Sequence, residues 1–164
     1  MTSLRTFFRR GAVLLCAVLL AACATPRPPA EPGQSAWSGR LALQVDSEPP
    51  QNLSAGFDLI GTPDAGELLL TSPLGSVVAA IRWRPGLAEF QQGAQVTRRD
   101  SLDALTAEFG DATLPVTALF AWLRGLPMRA DGWEADLSQH AEGRISARRL
   151  QPTPTAQLRL VFQP

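Results

Sequence analysis

Few side chains in this sequence could do covalent or acid–base chemistry, and their spacing argues against it. His140 is the single histidine and stands beside Ser138, Gln139 and Glu142, in a polar turn that leaves the ring solvated. A general base needs burial or a charged neighbour to tune its pKa, and this stretch suggests neither. Glu134 and Asp136 alternate in GWEADL beside polar turns, the pattern of a solvated strand face. The two cysteines, Cys16 and Cys23, both fall in the first 23 residues, so no set of thiol and imidazole metal ligands can be assembled. Every basic residue is arginine, which excludes a lysine nucleophile, and GxSxG, Walker A and dinucleotide fingerprints are absent. Neither an enzyme nor a resident cofactor or metal is expected.

The amino-terminal residues carry a different message. Arg5, Arg9 and Arg10 precede the apolar run GAVLLCAVLLAA, which at about a dozen residues is too short for the ~20 that a helix needs to cross a bilayer. The order of basic segment, short apolar segment and small residues is that of a cleavable signal peptide, residues 1–22. Leu20, Ala21, Ala22 and Cys23 resemble the bacterial lipobox, in which the cysteine becomes the acylated first residue of the mature protein. Cys16 leaves with the signal, so the mature chain has no disulfide to form and must rely on a hydrophobic core. Residues 23–36, rich in proline and without apolar period, read as an acylated tether. Ala24, not Asp, follows the cysteine, so by resemblance to lipoprotein sorting in enteric bacteria the protein goes to the outer membrane, facing the periplasm.

Removal of the signal leaves twelve arginines against fifteen carboxylates, a net charge of about −3. That sign argues against nucleic acid, which is bound mainly through excess positive charge. No run of basic residues forms a polybasic membrane segment.

The elements of the expected domain, residues 37–164, follow from periodicity. WSGRLALQV and NLSAGFDLI alternate apolar and polar residues, ELLLT and SVVAAIRW are apolar runs on either side of TSPLGS, and LAEFQQ and AQVTR follow; with tight turns between them, the six read as strands of an antiparallel meander. The period then lengthens. Asp100 and Ser101 can cap a helix in SLDALTAEF that aligns Leu102, Leu105 and Phe109, with Gly110 as its stop. Pro115 suits the first turn of a second helix running to Arg124, with Leu119, Trp122 and Leu123 on one stripe. GWEADL, GRISARRL and TAQLRLVF return to strand character. About nine strands and two helices imply an α+β, mainly β architecture, with a curved antiparallel sheet covered on one face by short helices. Between the third and fourth strands, TSPLGS has proline, glycine and serine for turn-making, but Leu74 is a large apolar residue at the tip.

LLLTSPLGS, AWLRGLP after the second helix, the opening SGRLAL strand and the lipobox-like LAAC are together similar to the LolB family of outer-membrane lipoprotein receptors, most closely from Trp37 to Pro127. The resemblance implies an incomplete barrel whose apolar cavity accepts acylated lipoprotein cargo from a LolA-like periplasmic carrier, with delivery into the outer membrane and no enzymatic step. It assigns lipid attachment to Cys23 and assistance of cargo insertion to the loop of Pro73, Leu74 and Gly75. On this reading the concave face supplies the acyl-chain cavity, with Leu41, Leu43, Phe57, Leu59, Leu68, Leu70, Ile81, Trp83 and Trp122 as its expected lining. The sequence leaves open which sheet face is concave, and whether these residues surround a cavity or fill a core. Between Pro127 and Phe162 the chain is shorter than the family pattern by about a hairpin. A monomer is expected. The alternative is a structural envelope lipoprotein that binds another protein through its sheet, with a filled core.

Overall fold

The structure is a computed structural model that describes residues 33–107, 114–130 and 132–164. The meander comprises β1 (Ser35–Val45), β2 (Gln51–Gly61), β3 (Gly66–Thr71), β4 (Val77–Arg84), β5 (Leu87–Gln92) and β6 (Gln95–Arg99). Two helices follow, α1 (Leu102–Ala107) and α2 (Val116–Leu123). Strands β7 (Trp133–Asp136), β8 (Arg144–Arg149) and β9 (Ala156–Phe162) complete the order, with a single 3-10 turn at His140–Glu142 between β7 and β8. All nine strands join one antiparallel sheet in the order β6-β5-β4-β3-β2-β1-β9-β8-β7. The carboxyl-terminal strand therefore returns to pair with the first, from Gly39 opposite Phe162 to Val45 opposite Ala156. Strands β6 and β7 end the sheet without pairing to each other, so the barrel is incomplete.

Register explains why one face is buried. Leu41 faces Ala55 and Leu160, and Leu43 faces Leu53 and Leu158. Phe57 meets Leu70, and Leu68 lies between Leu59 and Ile81. Because side chains alternate with period two, each match brings apolar residues to the same side. That side is the concave one: Phe120 of α2 packs edge-on against Trp37 of β1 at 5.8 Å and Trp83 of β4 at 5.9 Å between ring centroids. Aromatic pairs favour this geometry because the positive ring edge meets the negative face.

Helix α1 begins where the sequence predicts. The Ser101 hydroxyl accepts the Ala104 N–H at 3.1 Å, satisfying one of the amide groups that a helix start leaves unpaired. Leu102 and Leu105 are buried, whereas the expected Phe109 and Gly110 lie outside the described residues. Pro115 stands just before α2, not within its first turn. Helix α2 is buried almost all round, through Val116, Ala118, Leu119, Phe120, Trp122 and Leu123, so its apolar stripe is core. Gly125, at φ +74°, then turns the chain in a conformation that side chains rarely adopt.

Candidate functional site

Between β3 and β4 the backbone makes a closed, well-bonded loop. Ser72 and Ser76 pair through the Ser76 carbonyl at 2.8 Å, and the Gly75 N–H donates to the Ser72 carbonyl at 2.9 Å. The Ser76 N–H also donates to the Ser72 hydroxyl at 3.2 Å. Pro73 and Leu74 are the two central residues of the turn, and Gly75, at φ +84°, supplies the left-handed step that closes it. Leu74 is thus held outward by the backbone bonds behind it and is 95 % exposed.

At the root of this loop opens a cavity of about 430 Å³. Leu70, just before the loop, and Val78, just after it, line the cavity together with Leu43, Val45, Leu53, Ala79, Ile81 and Phe90. Thr106 of α1 and Leu114, before α2, border it from the helical side, and Gln51, Asn52 and Gln92 add polar edges. Apolar walls with a few polar groups at the margin suit an apolar ligand with a polar end. A larger depression, about 760 Å³, lies at the β7 edge, but Arg129, Glu134, Asp136 and Arg148 line it. Charged walls do not suit an apolar ligand, so the smaller cavity is the better candidate for one.

The nine lining residues expected from the sequence all lie in the buried cluster on the concave face. Leu43, Leu70 and Ile81 border the cavity. Leu41, Phe57, Leu59, Leu68, Trp83 and Trp122 instead stand in the packed core. The Trp122 indole donates to the Met128 carbonyl at 2.8 Å, and the Trp83 indole to the Thr62 carbonyl at 3.1 Å. Sequence reasoning missed Val45 and Ala79, although both follow the alternation of their strands. It had no signal for Leu114, which reaches the cavity only through the path of the chain.

Residues 34–158 match the family described as Outer membrane lipoprotein LolB. The chain is 31% identical to the outer-membrane lipoprotein LolB of Bordetella petrii over 178 aligned positions, covering 92% of this chain and 89% of the relative. It is 33% identical to that of Chromobacterium violaceum, covering 73% of this chain and 69% of the relative. The corresponding protein of Thiobacillus denitrificans is 35% identical, with 73% and 67% covered. The chain belongs to the LolB family. Membership makes it an outer-membrane lipoprotein with a part in lipoprotein handling, and not an enzyme. Cys23, the residue of the lipobox-like sequence, lies outside the described residues.

Within this LolB fold, the titratable residues His140, Glu134 and Asp136 have structural places. His140 is not the solvated loop residue that its polar neighbours suggest. Its ring is half-buried, its Nε2 donates to the Leu123 carbonyl at 3.0 Å, and it packs on Phe162 at 5.4 Å between centroids. It thereby clips the end of α2 to the last strand, and the bare Cα of Gly125 leaves room for the ring. Glu134 and Asp136 are exposed, as expected of a solvated face. Asp136 accepts the Ser138 backbone N–H at 2.9 Å. That bond, with help from the Ser138 side chain, holds the carboxyl below its ordinary pKa, the opposite of what a general acid needs.

Proposed function

We propose that this protein accepts the acyl portion of a lipoprotein from a LolA-like periplasmic carrier, shelters it in the cavity between β1–β5 and the helices, and passes it into the outer membrane. One observation carries the reading: the exposed Leu74 loop and the apolar cavity share their stems, since Leu70 and Val78 flank the loop and line the cavity. A ligand leaving the cavity at that end emerges beside an apolar tip. Each buried CH₂ is worth about 0.8 kcal/mol, so a free acyl chain in water is strongly disfavoured and transfer between apolar sites avoids that cost. No nucleotide is needed if each successive site binds more tightly.

At roughly 30 Å³ per methylene-sized unit, the volume of one water in the liquid, a cavity of about 430 Å³ takes one acyl chain, not three. A cargo with several chains therefore requires the cavity to widen. In this proposal residues 1–22 are the signal peptide, residues 23–36 the acylated tether and residues 37–164 the working domain, acting as a monomer. The test is transfer: the purified mature protein, mixed with its cognate carrier loaded with an acylated lipoprotein, should take the cargo. Cargo that stays on the carrier would overturn the proposal. Binding of a fluorescent acyl probe separates it from the structural-lipoprotein alternative, which predicts none.

A further inference from the structure

The outer face of the sheet, opposite the cavity, divides into two halves of different charge. Across β3, β4, β5 and β6, Glu67, Arg82, Glu89 and Arg98 stand in one cross-strand row of alternating sign. The Arg82–Glu67 and Arg98–Glu89 pairs close at 2.8 and 2.7 Å. Across β1, β9 and β8 the pattern differs. These three adjacent strands contain no Asp or Glu, and they direct Arg40, Arg159, Arg144 and Arg148 to the outer face, all exposed. Arg40 and Arg144 flank the exposed Val161 in a single row, Arg159 stands one row along, and Arg148 one further. Among the described residues, the nearest carboxylates stand at the margins of this patch. Glu142 lies 3.7 Å from Arg144, Glu134 stands directly opposite Arg148 and pairs with Arg129 at 3.3 Å, Asp136 faces Ser146, and Asp58 is one row beyond Arg40 on β2, so Arg40 and Arg159 are the centre of the patch.

This patch is continuous with the Leu74 loop. Thr71, the last residue before the loop, faces Gly56, Gly56 faces Arg40, and Arg40 faces Val161 and through it Arg144. The Thr71 hydroxyl stands 2.6 Å from where a Cβ on Gly56 would be, which places it on the outer face. At ~4.8 Å between strands, the loop root lies about 10 Å from Arg40 and about 19 Å from Arg144. The patch is also carried by the strand into which the chain from Cys23 leads. Ser35 is twelve residues from Cys23, so β1 begins within about 43 Å of the acylated position.

We propose that the outer face of β1, β9 and β8 docks on an anionic phospholipid surface, with Arg40, Arg144, Arg148 and Arg159 meeting the headgroup phosphates. The docked domain turns its cavity away from the bilayer and keeps the Leu74 loop at the bilayer margin. An acidic protein partner fits less well: a carrier handing over an acyl chain must meet the cavity, which opens on the other face. The proposal uses only the protein's place at a membrane, and its test contains neither carrier nor cargo.

The test is flotation of the mature chain bearing Cys23→Ser, which retains every described residue, with vesicles of phosphatidylethanolamine alone or mixed with phosphatidylglycerol. Binding should favour the anionic vesicles and fall as added salt shortens the screening length. A basic residue near an anionic surface contributes about fivefold in affinity, so Arg40→Gln with Arg159→Gln should weaken binding roughly 25-fold with an unchanged thermal midpoint. Arg82→Gln with Arg98→Gln, on the self-neutralised half, should have little effect. Equal binding by the wild type and the Arg40/Arg159 variant overturns the proposal. So does binding of the wild type that is equal on neutral and anionic vesicles or indifferent to salt, which would leave the headgroup charge no part in docking.

Discussion

Replacement of Leu74 by glutamate separates the roles of loop and core most directly. The side chain is 95 % exposed, so the folded protein gains almost nothing from it. The bonds that shape the loop run between the backbone of Ser72, Gly75 and Ser76 and the Ser72 hydroxyl, none of which the substitution removes. The expected change in unfolding free energy is therefore within about 0.5 kcal/mol, the range of neutral surface substitutions. At a membrane the ledger differs. A leucine moved from water to an apolar environment contributes about 1.5–3 kcal/mol, and a carboxylate in its place adds a penalty of its own. Losing the leucine alone corresponds to a roughly 10- to 150-fold drop in engagement of the tip with the bilayer. The assay pairs urea unfolding with transfer of an acylated lipoprotein from the protein to vesicles, while a fluorescent acyl probe reports the cavity. Stability and probe binding should persist as delivery falls, and Leu74→Phe should restore delivery. Normal delivery by the glutamate variant, or a stability loss well above 1 kcal/mol, would refute the reasoning.

Other outcomes follow from the packing. Ala79→Phe adds a ring beside the 430 Å³ cavity and should abolish acyl-probe binding while changing stability by less than about 2 kcal/mol; undiminished binding would place the acyl site elsewhere. His140→Ala removes the bond to the Leu123 carbonyl and the contact with Phe162, and should lower the unfolding free energy by about 1–2 kcal/mol at an unchanged urea m-value. A variant equally stable but defective in transfer would instead give His140 a functional role. Ser101→Ala deletes the cap of α1 and should cost about 1 kcal/mol, read from the denaturation midpoint.

The strands were legible because their signal is local. WSGRLALQV shows its alternation without any partner, and the structure assigns Ser35–Val45 to β1. TSPLGS announced a turn through proline and glycine, and the exposure of Leu74 agrees with a tip that nothing covers. The surroundings of His140 are not legible in the sequence, because its sequence neighbours are polar whereas its real environment comes from Leu123 and Phe162, 17 and 22 residues away.

By itself, the sequence determined the order of elements, their period and the apolar face of each strand, because φ/ψ preference and side-chain alternation act over a few residues. It also showed a lipobox-like segment and the scarcity of catalytic groups. Only the tertiary structure decided which face is concave, since curvature and the docking of Phe120 on Trp37 and Trp83 depend on contacts distant in sequence. The same long-range pairing divides the apolar residues between a core around α2 and a cavity beside the loop. It also gathers Arg40, Arg144, Arg148 and Arg159 onto one surface from strands more than a hundred residues apart, where no basic run exists along the chain. A side chain's own strand sets which way it points, and the partners of that strand set what it meets.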